Sequence, residues 1–316
     1  MAKHIKTSVD KTENIENNIV ERPKLFSDYI GQSIVAEHMK IYIQSAKKRN
    51  DVLDHVLLYG QAGLGKTTLA GIIANEMGKE IKVVSAPAIT KAGDIAAVLA
   101  KVREGDVVFI DEIHRLPIVC EETLYSAMED FKIDILIGSN AQTKSISLGL
   151  PKFTLIGATT RAGMLSKPLK DRFGITEHLE YYTSEELEQI VEKSAKKLNI
   201  KLGEKVAAEI GCRSKGTPRI ANHLLCRVRD FAISENHTEI QHEDVCKTMN
   251  ILGLDEFGLS KEDNYYLNVV GKYQPVGITT IASYLNEDKQ TVEEDIEPYL
   301  LYKHFITKTP KGRILN

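Results

Sequence analysis

At 316 residues the chain is long enough for two or three domains, and its 42% hydrophobic and 27% charged residues exclude wholesale disorder and a fibrous architecture. A formal charge of −3, from 41 Lys and Arg against 44 Asp and Glu, excludes a generally basic nucleic-acid coat but not a local basic patch. Cys120, Cys212, Cys226 and Cys246 are too scattered for a zinc site or a disulfide framework, and no run approaches the roughly 20 apolar residues of a membrane span, so a cytoplasmic location is expected.

Residues 1–21 are polar, poorly periodic and without the apolar core of a signal peptide, and read as a mobile arm. From Arg22 to Tyr182, short apolar runs alternate with helical patterns, the signature of βαβ units around a parallel sheet. The runs are HVLLY (55–59), IKVVS (81–85), VVFI (107–110) and FTLIG (153–157), continuous enough to be strands buried on both faces. KIDILIG, SNAQTK and SISLGL break the alternation and predict a β-hairpin over 133–150, with Ile133, Ile135 and Ile137 on one period-2 set and Ile146, Leu148 and Leu150 on the other. Over 183–254 the pattern is helical and opens on a capping box, Thr183 with Glu186. DEFGLSKED (255–263) reads as a linker, followed by three short helical patterns and a terminal β-element ending in FITKTPKGRILN.

GQAGLGKT (60–67) matches the P-loop pattern G-x-x-x-x-G-K-[ST], follows a predicted strand and opens a helix, Lys66 to Met77, that stops at Gly78. Glycines let backbone N–H groups face a phosphate, Lys66 neutralises the β and γ phosphates, and the Thr67 hydroxyl reaches Mg²⁺. VVFIDEIHRL then ends a strand in Asp111 and Glu112, where an α/β sheet meets its ligand. Asp111 is assigned to the metal and Glu112 to the base that polarises the attacking water; a solvated acidic turn is the alternative. Thr160, at the end of FTLIGATTR, is placed to bond that water or the γ-phosphate, although threonine is also ordinary strand-end chemistry. Arg172 in PLKDRFG suits an arginine finger given to a neighbouring subunit, against a local salt bridge with Asp171 or Glu177. Arg219 in GTPRIANHLL lies just inside a helix start, as a nucleotide contact or as part of a solvated face.

Together these strings resemble the AAA+ ATPases, and within them the motors that drive branch migration of Holliday junctions in recombination, DNA repair and the SOS response. The resemblance runs from about Arg22 to Arg313 and is carried by RPKLFSDYIGQ, DHVLLYGQAGLGKTTLA, DVVFIDEIHRL, EETLYSAMEDF, FTLIGATTRAGMLSKPLKDRFGI, GTPRIANHLL and EPYLLYKHFITKTPKGR. It implies an α/β P-loop AAA+ domain with a parallel sheet (22–182), an all-helical lid (183–254) and a C-terminal winged helix (255–316). It also implies an ATP site of Arg22, Gly63, Gly65, Lys66, Thr67, Thr68, Glu129, Asp130, Phe131, Tyr182 and Arg219. Thr67 and Asp111 would hold Mg²⁺, Asp111 and Glu112 would be the Walker B pair, Thr160 the sensor 1 residue, Arg172 the arginine finger and Arg219 the sensor 2 arginine.

The implied partners are Holliday junctions with their duplex arms, a junction-binding protein at the hairpin, and further copies of the chain in a ring, hexameric on DNA. The hairpin's apolar alternation also fits plain core packing. Lys308, Lys311 and Arg313 are the expected phosphate-backbone contacts, reading no bases, with Lys303 just upstream. The chain departs from the family pattern where lysines replace arginines in KTPKGR, where Tyr273 and Gln274 replace a double glycine, and where Gln61 and Ala62 replace paired prolines. Other functions compatible with the strings are a clamp loader or protein-remodelling motor, and a nucleotide-gated DNA-binding protein. Intact Glu112 and Arg172 favour turnover over a binding switch.

Overall fold

The structure, a computed structural model, describes residues 22–137 and 144–316, and for 135–137 and 144–146 the strand path alone. The arm expected over 1–21 and the tip of the inserted hairpin lie outside the described residues. The described chain forms two compact units, Arg22–Glu180 and Tyr181–Asn316. Among the described residues no helix is long and apolar enough to cross a membrane.

In the first unit the elements run α1 (Ser33–Arg49), β1 (Val56–Tyr59), α2 (Lys66–Met77), β2 (Ile81–Ser85), α3 (Ala92–Leu99), β3 (Val107–Asp111), α4 (Ile118–Glu129), β4 (Lys132–Ile137), β5 (Lys144–Gly149), β6 (Thr154–Thr159), α5 (Lys167–Lys170) and β7 (Ile175–His178). Five strands make one parallel sheet in the order β2-β3-β6-β1-β7. The central strands β3, β6 and β1 are buried almost throughout, which is why their sequences are unbroken apolar runs. Burial on both faces was expected of β2 as well, but β2 is an edge strand and its Val83 is 60% exposed. The opposite edge, β7, has no apolar run to announce it: in ITEH only Ile175 is aliphatic, and the buried Glu177 meets His38 Nδ1 at 3.1 Å.

The hairpin β4–β5 is a separate antiparallel pair, with Ile133 opposite Leu148 and Ile135 opposite Ile146. Opposite residues share a face. At its base that face is divided: Ile133 is buried in the domain core, while Leu148 is 41% exposed.

In the second unit α6 (Ser184–Lys197), α7 (Val206–Cys212), α8 (Pro218–Ser234) and α9 (His242–Leu252) pack together, and the Thr183–Glu186 capping box starts α6. The segment read as a linker is ordered and becomes helix within its own span. Asp255 accepts from the N–H groups of Phe257 and Leu259 at 2.9 and 2.8 Å, and a second capping box, Ser260 with Asp263, starts α10 (Lys261–Tyr273). Then come α11 (Ile278–Leu285), α12 (Lys289–Thr291), a π turn (Val292–Ile296), α13 (Glu297–Tyr302) and the hairpin β8 (Ile306–Thr309) with β9 (Gly312–Leu315). Val276 bridges Arg313 beside it, so three extended segments flank the helices, the form of a winged helix. Gly312 permits that approach: at φ +139° a Cβ would lie 2.5 Å from the Val276 carbonyl oxygen. Where the double glycine is missing, Tyr273 stacks on Tyr284 at 5.0 Å and the Gln274 side chain accepts from the Leu315 N–H at 2.8 Å.

Candidate functional site

Strand order decides which loops meet. β3, β6 and β1 are neighbours, and their register sets Ile110 beside Gly157 and Tyr59 beside Thr159, so their C-terminal ends lie in one row. The loop after β1 turns on Gly60, Gly63 and Gly65, all at positive φ. At Gly60 a side chain is excluded outright, because a Cβ would stand 2.4 Å from the Leu179 carbonyl oxygen. Lys66 is 7% exposed, and its Nζ donates to the carbonyls of Gly60 and Gln61 at 2.8 and 2.9 Å. Gln61 serves through its backbone, so the loss of a family proline there leaves this grip intact. Thr67 and Thr68 follow, half-buried, in the first turn of α2, the end at which a helix dipole favours an anion.

At the end of β3, Asp111 Oδ1 accepts from the Glu112 N–H at 3.0 Å. Glu112 leaves the strand in the left-handed region, φ +49°, a conformation costly for a residue with a Cβ and one that gathers at functional turns. Its Oε2 accepts from the Thr160 hydroxyl at 3.2 Å and lies 3.2 Å from His114 Nδ1. His114 Nδ1 is in turn 2.9 Å from Thr159 Oγ1, which accepts from the Arg161 N–H at 2.9 Å. Burial lowers the His114 pKa from its ordinary value against the opposing pull of Glu112, so at neutral pH the imidazole meets the carboxylate as a neutral partner. The sequence-predicted Lys66, Asp111, Glu112 and Thr160 therefore converge on one row of strand ends. Such a row can hold a triphosphate at the helix and aim a carboxylate at a water beside it.

Glu129, Asp130, Phe131 and Arg172 lie elsewhere. His55, immediately before β1, accepts from the Leu155 N–H at Nδ1 (2.8 Å), which leaves Nε2–H to donate to the Met128 carbonyl (3.1 Å). Phe131 packs on His55 and Phe153 with ring centroids 6.3 and 5.9 Å away. The end of α4 thus abuts the N-terminal edge of β1 and β6, while the P-loop leaves the other end of β1, about 13 Å along a strand of this length. Arg172 shares the N-terminal edge: its Nη2 pairs with Glu129 at 3.0 Å and Nη1 donates to the Pro168 carbonyl at 2.7 Å. The local salt bridge considered from sequence, with Asp171 or Glu177, is replaced by this pair.

Arg22 is exposed at the start of the described chain, two residues before Lys24, whose carbonyl accepts from Asn75 Nδ2 at 3.2 Å. Tyr182 and Arg219 belong to the second unit. Tyr182 is buried and its N–H donates to the Gly216 carbonyl at 2.9 Å; Arg219 is exposed in the first turn of α8.

The three basic residues expected on DNA do not act alike. Arg313, its side chain only 13% exposed, turns inward and grips the fully buried Glu297 through Nε (2.8 Å) and Nη2 (3.1 Å). Lys308 Nζ reaches the same carboxylate at 2.7 Å, and Tyr266 donates its hydroxyl at 2.8 Å. A buried carboxylate demands such partners. This bears on the expectation that all three present their charge to phosphate: Lys308 and Lys311 are exposed, as is Lys303, with Lys308 also bonded to Glu297, whereas Arg313 is turned to the domain interior and also lies 3.4 Å from Glu293.

Comparison with known families gives three matches in chain order: the Holliday junction DNA helicase RuvB P-loop domain over residues 21–179, the RuvB AAA lid domain over 182–255, and the RuvB C-terminal winged helix domain over 256–316. The chain belongs to the RuvB family. The Holliday junction branch migration complex subunit RuvB of Campylobacter hominis is 52% identical over 97% of this chain and 90% of that protein, and its Lactobacillus johnsonii counterpart is 53% identical over 97% and 91%. Among solved structures, the Thermotoga maritima RuvB Holliday junction branch migration motor superposes with a TM-score of 0.84 at 43% identity, over 93% of this chain and 95% of that one. RuvB membership makes the first unit a nucleotide-binding AAA+ ATPase domain and the C-terminal segment a winged helix.

Three features of this RuvB chain escape sequence reading. His114 stands two residues from Glu112 in DEIHRL, yet nothing in the string shows that its ring bridges β3 and β6. Glu297 and Tyr266 look like ordinary helix residues until the fold wraps them around Arg313. Tyr125 lies in an apolar helical pattern, and its ring is 4.4 Å from the Arg172 guanidinium.

Proposed function

We propose that this chain is the ATP-hydrolysing motor of a Holliday junction branch-migration complex, a DNA translocase acting in homologous recombination and DNA repair. The observation that carries the reading is the row of strand ends bearing an intact P-loop, Asp111, and Glu112 bonded to Thr160, in a chain that matches all three RuvB domains. In this reading Gly63, Gly65, Lys66, Thr67 and Thr68 grip the phosphates, Glu112 polarises the attacking water and Thr160 orients both. The Thr67 hydroxyl and Asp111 carboxylate are the hard oxygen donors suited to Mg²⁺, which supplies charge neutralisation at the β and γ phosphates. Arg22, Tyr182 and the sensor 2 residue Arg219 complete nucleotide recognition.

Arg172, at the edge of the sheet away from its own P-loop, serves a neighbouring subunit's nucleotide with Glu129, Asp130 and Phe131 beside it. That arrangement calls for a ring, hexameric on DNA. The chain divides into an arm (1–21), an ATPase domain (22–182), a lid (183–254) and a winged helix (255–316). Its partners are Holliday junctions and their duplex arms, RuvA through the hairpin 133–150, and RuvC, in the cytoplasm.

The test is migration of a synthetic four-way junction with ATP, with and without RuvA. Migration that requires ATP and Glu112 supports the motor; ATP binding without turnover, even with junction DNA and RuvA present, overturns it in favour of a nucleotide-gated DNA-binding protein.

A further inference from the structure

Arg172 is held by more than its ion pair. Its guanidinium lies 4.4 Å from the centroid of the Tyr125 ring, in the range where an aromatic face attracts a cation. The Tyr125 hydroxyl is 2.9 Å from Ser166 Oγ and 3.1 Å from Glu121 Oε2, and Ser166 Oγ also donates to that carboxylate at 2.5 Å. Glu121 is 5% exposed, so this three-way bond is shielded from water. Ser166 is in turn the N-cap of α5, accepting from the Leu169 N–H at 3.3 Å, and α5 supplies the Pro168 carbonyl that holds Arg172 Nη1 at 2.7 Å. The ring thus fixes the guanidinium directly, and the hydroxyl fixes the helix from which the arginine springs. The pair with Glu129 is of another kind: that side chain is 57% exposed and ends its helix, so it holds Arg172 loosely. The Nε of Arg172 is buried without a hydrogen-bond partner among the described residues, an arrangement that packing rather than hydrogen bonding must hold.

We propose that Tyr125 is a positioning residue for the arginine finger, keeping the Arg172 guanidinium presented at the N-terminal edge of the sheet while the exposed Glu129 contact is exchanged for a neighbour's phosphate. The proposal rests on the reading of Arg172 as a finger acting in trans. A planar guanidinium that must reach a transition-state charge loses rate when it samples other orientations. Tyr125 works through Arg172 and touches no nucleotide of its own subunit, so its loss lowers turnover in the neighbour while leaving nucleotide affinity in its own P-loop unchanged.

Subunit mixing reads this directly, with junction DNA and RuvA present. Tyr125→Leu should lower kcat about tenfold with unchanged nucleotide binding, and Tyr125→Phe, which keeps the ring face, about two- to threefold. Lys66→Ala is inactive alone but carries an intact finger, so adding it should raise turnover per intact P-loop for Tyr125→Leu as it does for Arg172→Ala. If Arg172→Ala is not rescued, the trans finger itself is refuted. If Arg172→Ala is rescued but Tyr125→Leu keeps full turnover, or is impaired and not rescued, the positioning role is refuted, because the defect then lies in the variant's own site or fold. Tyr125→Met, whose flexible unbranched chain fills irregular space without an aromatic face, replaces Tyr125→Leu in the same mixture if the leucine variant does not fold.

Discussion

Two residues show how the site's chemistry is prepared before any nucleotide binds. Lys66 is nearly buried and tied to two loop carbonyls, neutral acceptors that a phosphate outcompetes electrostatically. Lys66→Ala should therefore weaken ATP binding at least about tenfold, measured with a fluorescent nucleotide, while the fold stays intact. Glu112 occupies a left-handed turn that a carboxylate-bearing side chain adopts at a cost, and its carboxylate is met by Thr160 at the end of β6 and by His114 in the turn after its own strand. Glu112→Gln keeps the shape and removes the base, so kcat should fall about 100-fold or more while ATP remains bound. Undiminished turnover would reassign the base. Asp111, Glu112 and the strand-end threonine were legible as candidate chemistry from the string alone, but the contact of Glu112 with Thr160 across two strands, and with His114, was not.

The winged helix shows at the level of elements why a basic string is not yet a DNA surface. KTPKGR bends through Gly312 into a hairpin, and the bend carries Arg313 onto Glu297 of α13. Burial by itself raises the Glu297 pKa, but the hydrogen bonds from Arg313, Lys308 and Tyr266 more than offset it and hold the carboxyl below the ordinary carboxylate range. A lowered folded-state pKa means stability fully present above the unfolded value, near 4.3, and lost as pH falls through the folded value. Thermal unfolding of the intact chain should accordingly show an acid-labile transition, and Glu297→Gln should remove its carboxylate contribution. Removing the partner altogether is harsher. Glu297→Ala strips the inward-turned Arg313 of its main partner, leaving the 3.4 Å contact with Glu293, and should cost about 3 kcal/mol. Arg313→Ala should likewise register as lost stability. Lys303→Ala and Lys311→Ala should leave stability unchanged, weaken DNA binding for every sequence and reduce the salt slope by about 1 per lysine. An unchanged salt slope in the lysine variants would move the DNA surface elsewhere.

For the whole molecule, the net charge of −3 is an average over segments of opposite character. From Lys303 to Asn316 there are Lys303, Lys308, Lys311 and Arg313 and no acidic residue, whereas the preceding α12–α13 stretch is acidic. A chain ending at residue 255 should lose DNA binding and keep nucleotide binding, as titration of each ligand would show. Loss of both would mean that the winged helix supports the nucleotide site. The sequence by itself determined the parallel-sheet class, the P-loop and its helix, the apolar strand that ends in Asp111 and Glu112, the helical second region and the family. Each is encoded locally, by a period, a glycine spacing or a strand followed by its polar end. Tertiary structure alone decided what depends on distant partners. Strand order brought Glu112 to Thr160 and set Arg172 at the opposite edge from its own P-loop. Edge position exposed β2 and made a strand of ITEH, and a buried carboxylate claimed Arg313. The physical reason is common to all four: a charge or an apolar face takes its meaning from what covers it, and what covers it comes from residues far away in the chain.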